Sequence, residues 1–223
     1  MAAFVDFPEA GDPISRLDMH VLTVLCHPNP NSFSHSVAQR FVEGAQSVGH
    51  SIEFADLYAE RFDPILTERD LQQFKGVAMP DDVLREQARV ERSGALCLIF
   101  PIWWYGPPAM MKGWFDRVWS AGWAYHWQHD PEGSLLAARP CTMLIPMGAS
   151  DNQLQRWGYR KEIEHLWRYG ILGYCGVDPI RIELLTDSAF ESGARARHLE
   201  VAYNAGCAIE HDALARPGIR ELL

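Results

Sequence analysis

The sequence predicts an α/β fold, an open parallel sheet of five strands with helices on both faces. Candidate strands alternate with helical patterns along the chain, which favours parallel pairing through right-handed crossovers. Residues 96–100 read Leu-Cys-Leu-Ile-Phe, without a polar position, and such runs are typical of strands that are buried on both faces. The 223 residues show no break in composition, which favours one domain.

The first half of the chain contains two strands around one helix. Residues 1–17 have turn formers and little periodicity, so we expect a leader that is loosely held or packs on a partner subunit, before a single domain at 18–223. Residues 20–26 form the first strand. Apolar side chains at four-residue spacing predict an amphipathic helix over 34–47, and 51–56 form the second strand. Residues 57–80 are polar and irregular apart from a short capped turn at 66–70, and a loop of that length is usually functional.

The second half repeats the alternation. The charged segment 81–93 predicts a surface helix that leads into the strand at 96–100. Residues 108–120 begin with a proline, which suits a first helical turn, and carry an unusually broad apolar face. A core contact explains that face, but it could also cover a partner subunit. The remaining elements are a strand at 141–145, a helix at 159–169, a strand at 180–185 and a closing helix at 192–214.

Composition excludes several classes of partner. The formal net charge is −9 without a run of Lys and Arg, whereas nucleic-acid binding needs a basic face. No apolar stretch approaches the ~20 residues that cross a bilayer, and the start of the chain lacks the basic region of a signal peptide. The five cysteines are scattered, without the spacing of a metal site or a redox pair. We therefore expect a cytoplasmic protein that acts on small molecules, without an integral membrane segment or a bound metal.

An aromatic segment follows the strand at 96–100 directly and reads Pro101-Ile102-Trp103-Trp104-Tyr105-Gly106-Pro107-Pro108. In open α/β sheets, ligands bind at the carboxyl ends of the strands. Of three consecutive aromatic residues in a turn, at least one must face outward, so the segment predicts a pocket for a flat ligand. The alternative is that these rings only cap the core.

Two further segments reach the same sheet edge. Residues 27–36 open into the first helix, whose unpaired N–H groups and dipole favour a phosphate; the alternative is that Ser32 or Ser34 only caps the helix. This segment is neither a P-loop nor a Gly-rich dinucleotide fingerprint. Residues 145–150 include small residues that leave backbone amides open. Together, the three segments describe a flavin nucleotide in a flavodoxin-like sheet of strand order 2-1-3-4-5.

Several short motifs resemble those of one family. Residues 111–118 read Met-Lys-Gly-Trp-Phe-Asp-Arg-Val, and Asp56-Leu57-Tyr58 and Phe62-Asp63-Pro64-Ile65 precede them. With the aromatic segment, these motifs resemble the NAD(P)H:quinone oxidoreductase (DT-diaphorase-like) family of flavodoxin-like flavoproteins. The resemblance covers residues 19–185.

The resemblance implies roles for particular residues. The residues at the flavin phosphates are His27, Asn31, Ser32, Phe33 and Ser34. Those along the isoalloxazine ring are Pro101, Ile102, Trp103, Trp104 and Tyr105, and those at its polar edge are Met147, Gly148 and Ala149. The aromatics of a catalytic pocket, which the family builds across a homodimer interface, are Tyr125, Trp127 and Tyr174. Tyr159, or alternatively Arg156 or Arg160, stands in for a Tyr and a His that stabilise the reduced flavin in mammalian members.

The sequence also departs from the family. Residues 146–149 read Pro-Met-Gly-Ala, where members often read Thr-Thr-Gly-Gly. Trp103 stands where Gln is usual.

The resemblance implies a two-step cycle. NADH or NADPH reduces the flavin and leaves, and a quinone-like aromatic acceptor takes its place. We expect FAD rather than FMN, because the loop at Ser32 and Phe33 and the long segment at 56–80 resemble the FAD-using members. The alternatives are a flavoprotein regulatory subunit of a potassium-efflux-type membrane transporter and a one-electron flavodoxin-type carrier.

Overall fold

The computed structural model describes residues 18–126, 134–189 and 192–214. Its centre is a five-stranded parallel sheet of order β2-β1-β3-β4-β5. The strands are β1 (His20–Leu25), β2 (Ser51–Asp56), β3 (Ala95–Ile99), β4 (Cys141–Pro146) and β5 (Ile180–Leu185). The predicted fold class and strand order are confirmed. The leader at 1–17 lies outside the described residues, and the division into leader and single domain stays a prediction.

Six α-helices surround the sheet in the part of the chain that the structure describes. They are α1 (Phe33–Ser47), α2 (Asp81–Arg92), α3 (Ala109–Val118), α4 (Asp151–Trp157), α5 (Tyr159–His165) and α6 (Ser192–Leu214). Helix α4 was not predicted. The helix expected over 159–169 ends at His165 and continues as wider π-type turns over Leu166–Leu172. A 3-10 turn at Asp70–Lys75 adds order to the segment expected to be irregular.

Helices α1 and α6 cover one face of the sheet and touch through glycines. A Cβ atom on Gly206 would lie 2.2 Å from the carbonyl oxygen of Phe41, and one on Gly44 would lie 2.1 Å from that of Tyr203. Real Cβ atoms do not approach so closely, so the two backbones pack at a distance that only glycine permits. The position of α1, which begins at the sheet edge expected to bind ligand, is therefore rigidly determined by α6.

Helix α3 packs on the opposite face, and its burial favours the core contact of the two explanations given for its apolar face. Most of its large apolar side chains are at most 6% exposed, namely Met111, Trp114, Phe115 and Val118, with Trp119 directly after the helix. They join the core between the sheet and α5. Met110 is partly buried against the same core. The broad apolar face is therefore used within this chain, and it gives no support for a partner subunit on α3.

The long segment between β2 and α2 is held against α3 by Arg117. This buried guanidinium donates to Asp70 at 2.9 Å, to Asp82 at 2.6 Å and to the carbonyl oxygen of Asp63 at 2.7 Å. Burial opposes ionisation of Asp70, but hydrogen bonds from Thr67 and Arg117 outweigh it and lower the pKa of this carboxyl. The predicted capped turn at 66–70 is confirmed, since the Thr67 N–H donates to Asp70 Oδ2 at 2.7 Å.

The cysteines have no disulfide partners. All five are free, and four are buried. Burial raises the pKa of Cys26 to about 12, which makes its thiol a poor nucleophile. Their environment agrees with the expectation of reduced core thiols.

Candidate active site at the carboxyl edge of the sheet

Three loops meet where β1, β3 and β4 end. They are the first loop (residues 27–32), the aromatic turn (residues 103–106) and the glycine loop (residues 147–150). The Trp103 ring lies edge-on to the His27 ring, with centroids 5.9 Å apart, and the Ile102 N–H donates to the Pro146 carbonyl oxygen at 3.1 Å. The structure therefore brings together the three segments that the sequence singled out.

The first loop is built to start helix α1. The Asn29 side chain accepts the Asn31 N–H at 2.9 Å, and the Asn29 carbonyl accepts the Ser32 N–H at 3.0 Å. Ser32 is the N-cap, and its Oγ accepts the His35 N–H at 3.4 Å. Ser34 is buried within the first turn. Of the two candidate caps, Ser32 is the cap, and the unpaired N–H groups that a first helical turn provides are candidate anion donors.

His27 is fixed in one tautomer. Its Nδ1 accepts the backbone N–H of Asn29 at 3.0 Å, so the proton of the neutral ring lies on Nε2. Burial lowers the pKa of His27, and the nearby His35 lowers it further. A neutral ring with one free N–H is a hydrogen-bond donor without charge.

The aromatic turn has backbone angles that Trp and Tyr residues rarely adopt. Trp103 and Gly106 exchange two backbone hydrogen bonds, of 3.0 and 3.1 Å, so Trp104 and Tyr105 are the central residues of a two-residue turn. Both have positive φ, +52° and +59°, where Asn and Gly are usual. Each such bulky residue costs about 1–3 kcal/mol, and strain of this kind clusters at ligand sites. Trp104 is 100% exposed, whereas Pro101 is buried and supports the turn.

Two pairs of tyrosines lie near the aromatic turn and after α3. The Tyr105 ring stacks on Tyr159, with centroids 4.0 Å apart, and Gly158 at φ +74° turns the chain so that α5 begins at Tyr159. The ring centroids of Tyr125 and Tyr174 lie 5.4 Å apart. Burial raises the pKa of Tyr125. Trp127 lies outside the described residues. Among the described residues, the aromatics expected at the site thus include two ring pairs.

In the glycine loop, Gly148 alone is exposed. The Met147 N–H already donates to the Leu185 carbonyl at 3.0 Å, and its carbonyl accepts the Ser188 N–H at 3.0 Å. Met147 is 5% exposed, so its amide supports the loop instead of facing a ligand. The Asp187 N–H donates to the Ala149 carbonyl at 3.1 Å. Of the three residues expected at the flavin's polar edge, Gly148 is the exposed one.

Two side chains without a role in the sequence-based prediction also belong to this edge. The Arg195 guanidinium, from α6, lies over the Phe33 ring at 5.5 Å and brings a cation to the start of α1. His35 contacts both Ser32 and Asp56. Arg195 is distant in sequence from Phe33, as Asp56 is from His35, so spacing alone offered no signal.

The described residues contain no group of three or more His, Cys, Asp and Glu side chains that could hold a metal ion. Among the same residues, none of the helices has the length and apolar character needed to span a bilayer. The features of this edge are instead aromatic rings, backbone amides and a helix N-terminus. Sheet order and loops together define the class, an open α/β protein with a ligand site at the carboxyl ends of its strands.

Comparisons with known proteins extend this class to a family. The model of the flavodoxin-like fold matches residues 19–205. An uncharacterized NAD(P)H oxidoreductase of Haemophilus influenzae is 31% identical over 186 residues, which are 82% of this chain and 92% of that protein. NAD(P)H dehydrogenase (quinone) 1 of Cavia porcellus is 28% identical over 73% of this chain and 66% of its own length. An NAD(P)H:quinone oxidoreductase from Methanothermobacter marburgensis has a TM-score of 0.79 and 32% identity, over 87% of this chain and 97% of that chain.

The chain therefore belongs to the flavodoxin-like family, and NAD(P)H:quinone oxidoreductases are among its homologues in sequence and structure. The resemblance predicted from the motifs is confirmed.

Proposed function

We propose that this protein is a flavin-dependent NAD(P)H:quinone oxidoreductase. The observation that supports this proposal most directly is the aromatic turn. Its two central residues have positive φ, and the turn lies beside His27 and the start of α1. The homologues named above support the reaction class. No observation favours the regulatory subunit of a potassium-efflux transporter or the one-electron carrier.

The residues present fit a flavin nucleotide. The first turn of α1 and the His27 Nε2–H offer uncharged donors to phosphate oxygens. The exposed rings of the aromatic turn offer a flat surface, and the exposed Gly148 offers space and an amide at its far end. Bound there, the flavin supplies the hydride chemistry. The protein supplies binding, orientation and exclusion of water.

The aromatic side chains position the two substrates. We assign Trp104 and the Tyr105–Tyr159 pair to the surface on which nicotinamide and quinone rings stack in turn, with the Tyr125–Tyr174 pair at the side of the pocket. Stacking of flat rings places reacting atoms near contact distance, and such positioning is a major part of catalysis. Because one surface receives both substrates, the first product must leave before the acceptor binds.

Steady-state kinetics test this scheme. NADH and NADPH are each assayed against a series of quinones, with azo dyes and nitroaromatics as other acceptors. Parallel double-reciprocal lines are expected, since the substrates alternate. Intersecting lines would show a ternary complex and contradict the shared surface, and absence of NAD(P)H oxidation with every acceptor would contradict the function.

We further propose FAD as the flavin, with FMN as the alternative. Arg195 over Phe33 adds a cation beyond the first turn of α1. This cation can pair with the second phosphate of FAD, whereas FMN has only the one phosphate that the first turn binds. Acid release of bound flavin followed by chromatography identifies the nucleotide. In addition, Arg195→Met is expected to weaken FAD binding more than FMN binding, and equal losses would remove this support.

A homodimer is also proposed. The segment between β2 and α2 carries exposed apolar side chains, namely Ile65 (66%), Leu66 (40%), Leu71 (45%) and Val77 (44%). We infer that these side chains form one patch, and contiguous apolar patches are typical of interaction surfaces. Light scattering coupled to size-exclusion chromatography measures the mass, and Ile65→Lys should shift it toward the monomer. The cytoplasmic location stays a prediction from the sequence.

A further inference from the structure

A chain of three hydrogen-bonded side chains connects the start of α1 with the end of β2. His35 lies in its middle, with Nδ1 2.8 Å from Ser32 Oγ and Nε2 3.2 Å from Asp56 Oδ2. Ser32 is the N-cap of α1. The chain therefore ends inside the site proposed for the flavin phosphates, although the family resemblance assigns no role to His35 or Asp56.

The carboxylate decides which imidazole nitrogen carries the proton. An ionised carboxylate only accepts hydrogen bonds, so Nε2 of His35 must donate to Asp56. In the neutral ring, Nδ1 is then an acceptor, and the hydrogen bond with Ser32 uses the hydroxyl proton. The same Oγ accepts the His35 N–H at 3.4 Å. In this state Ser32 has no proton left for a phosphate oxygen.

Protonation of His35 reverses the contact with Ser32. An imidazolium donates from both nitrogens, so Nδ1–H donates to Ser32 Oγ and the hydroxyl proton becomes free to donate elsewhere. The positive charge also favours an anion at the start of α1. Both effects strengthen phosphate binding in the protonated state.

We propose that His35 couples binding of the flavin phosphates to the uptake of one proton, with Asp56 setting its tautomer. This inference rests on the proposed flavin site and adds its regulation by pH. His35 is a positioning residue, because it acts on the phosphate through Ser32.

The groups around His35 are compatible with this role. From the first loop, the His27 ring centroid lies 6.4 Å from that of His35, and burial lowers the pKa of His27. From β2, Asp56 faces the ring, and its second oxygen accepts the N–H groups of Tyr58 and Ala59, each at 3.1 Å. The outer side of His35 borders an open groove of about 480 Å³ whose other lining residues are uncharged: Pro30, Gln39, Val42, Gln46, Ile52 and Phe54.

Equilibrium dialysis of the full chain against FAD and against riboflavin, each as the only flavin present, tests the coupling. Riboflavin has the ring without phosphate, and FAD is preferred to FMN because a phosphate monoester itself titrates at about pH 6. Across about pH 6 to 8, where histidine titrates, the ratio of FAD to riboflavin affinity is expected to fall as pH rises. The limiting slope for one proton is about tenfold per pH unit.

Two variants separate the charge from the tautomer. His35→Gln cannot take up a proton, so the affinity ratio should become independent of pH. In Asp56→Asn, the Tyr58 and Ala59 N–H groups hold the amide oxygen, and the NH₂ group donates to Nε2. Nδ1 then carries the proton of the neutral ring and frees the Ser32 hydroxyl at every pH. We expect a flat profile for this variant too, at a higher FAD affinity at pH 8 than His35→Gln.

His20 provides a matched control. Its Nδ1 is 3.0 Å from Ser51 Oγ and its Nε2 is 3.3 Å from Glu53 Oε2, which is the same arrangement of hydroxyl, imidazole and carboxylate. It lies at the amino end of β1, at the opposite edge of the sheet from the site. His20→Gln should therefore keep the pH profile of the parent.

The outcomes distinguish this inference from the proposed function. If neither flavin binds, the proposed function fails. If both bind and the ratio is independent of pH in the parent, or keeps the parent slope in His35→Gln, the coupling is overturned while the function stands. Should a variant fail to fold, ¹⁵N NMR of the parent decides: His35 should be the Nε2–H tautomer without FAD and doubly protonated with it, and an unchanged ring would overturn the proposal.

Discussion

Replacement of Trp104 by glycine is expected to stabilise the fold while it impairs the site. At the φ of +52°, a side chain costs about 1–2 kcal/mol that glycine does not incur. The ring is 100% exposed, so its removal sacrifices little packing within the chain. The greater freedom of glycine in the unfolded chain offsets about 0.5–1 kcal/mol of the gain. The net effect is about 0.5–1 kcal/mol of stabilisation, or about 1–4 °C in Tm for a domain of this size.

Urea unfolding of the flavin-free protein measures this difference, because a bound ligand would add its own free energy to the folded state. Gly122→Ala is the reverse control, since Gly122 has φ +83° and an added Cβ would meet nothing within 4 Å. Only backbone strain should destabilise that variant. In contrast, kcat/KM for quinone reduction should fall in Trp104→Gly. A Trp104→Gly protein that is less stable than the parent, with Gly122→Ala destabilised as expected, would refute the idea that the turn stores strain.

Three further changes test other parts of the molecule. Gly206→Ala places a Cβ 2.2 Å from a carbonyl oxygen of α1, so we expect a loss of about 1–3 kcal/mol in urea unfolding, whereas Gly193→Ala on the same helix should have little effect. Arg117→Met leaves Asp70 buried without its cation, at a cost of about 3–5 kcal/mol at pH 7. Because the folded-state pKa of Asp70 is lowered, that contribution is present above about pH 4 and is lost as pH falls, so parent and variant should converge in acid. Trp103→Gln should change relative kcat/KM among quinones more than it changes the Kd of the flavin, and an identical acceptor profile would return Trp103 to a purely structural role.

The sheet could be predicted because its strands are locally distinctive, but one helix could not be found from periodicity. Strand β3 consists entirely of buried apolar residues, and its length of only five residues favours a strand over a segment of buried helix. Helix α4 has a single buried residue, Leu154, so no apolar face is visible in its sequence. A different signal was present. Ser150 and Gln153 form a capping box, and this Ser-x-x-Gln pattern marks a helix start.

The parts of the site that escaped prediction depend on tertiary contacts. The aromatic segment indicated a pocket, but no rule assigns positive φ to Trp104 and Tyr105, since two-residue turns of this kind favour Asn and Gly. Likewise, a broad apolar helix face has the same pattern whether it packs on its own sheet or on a partner, and α3 packs on its own sheet. The contact between His35 and Asp56 joins residues 21 positions apart, and it exists only because β1 and β2 are paired.

The aromatic turn is held in its strained form from two directions. Hydrogen bonds between Trp103 and Gly106 close its base, and Tyr159 packs on Tyr105 at its side. Neither contact involves the Trp104 side chain, which is fully exposed. Strained backbone persists where its surroundings enforce it, and such exceptions to local preference are expected at functional sites. The backbone of Trp104 is thus held in a strained form, while its ring packs on nothing within the chain and is free to contact a group outside the core. This is the physical reason for assigning Trp104 to the surface on which the substrates stack.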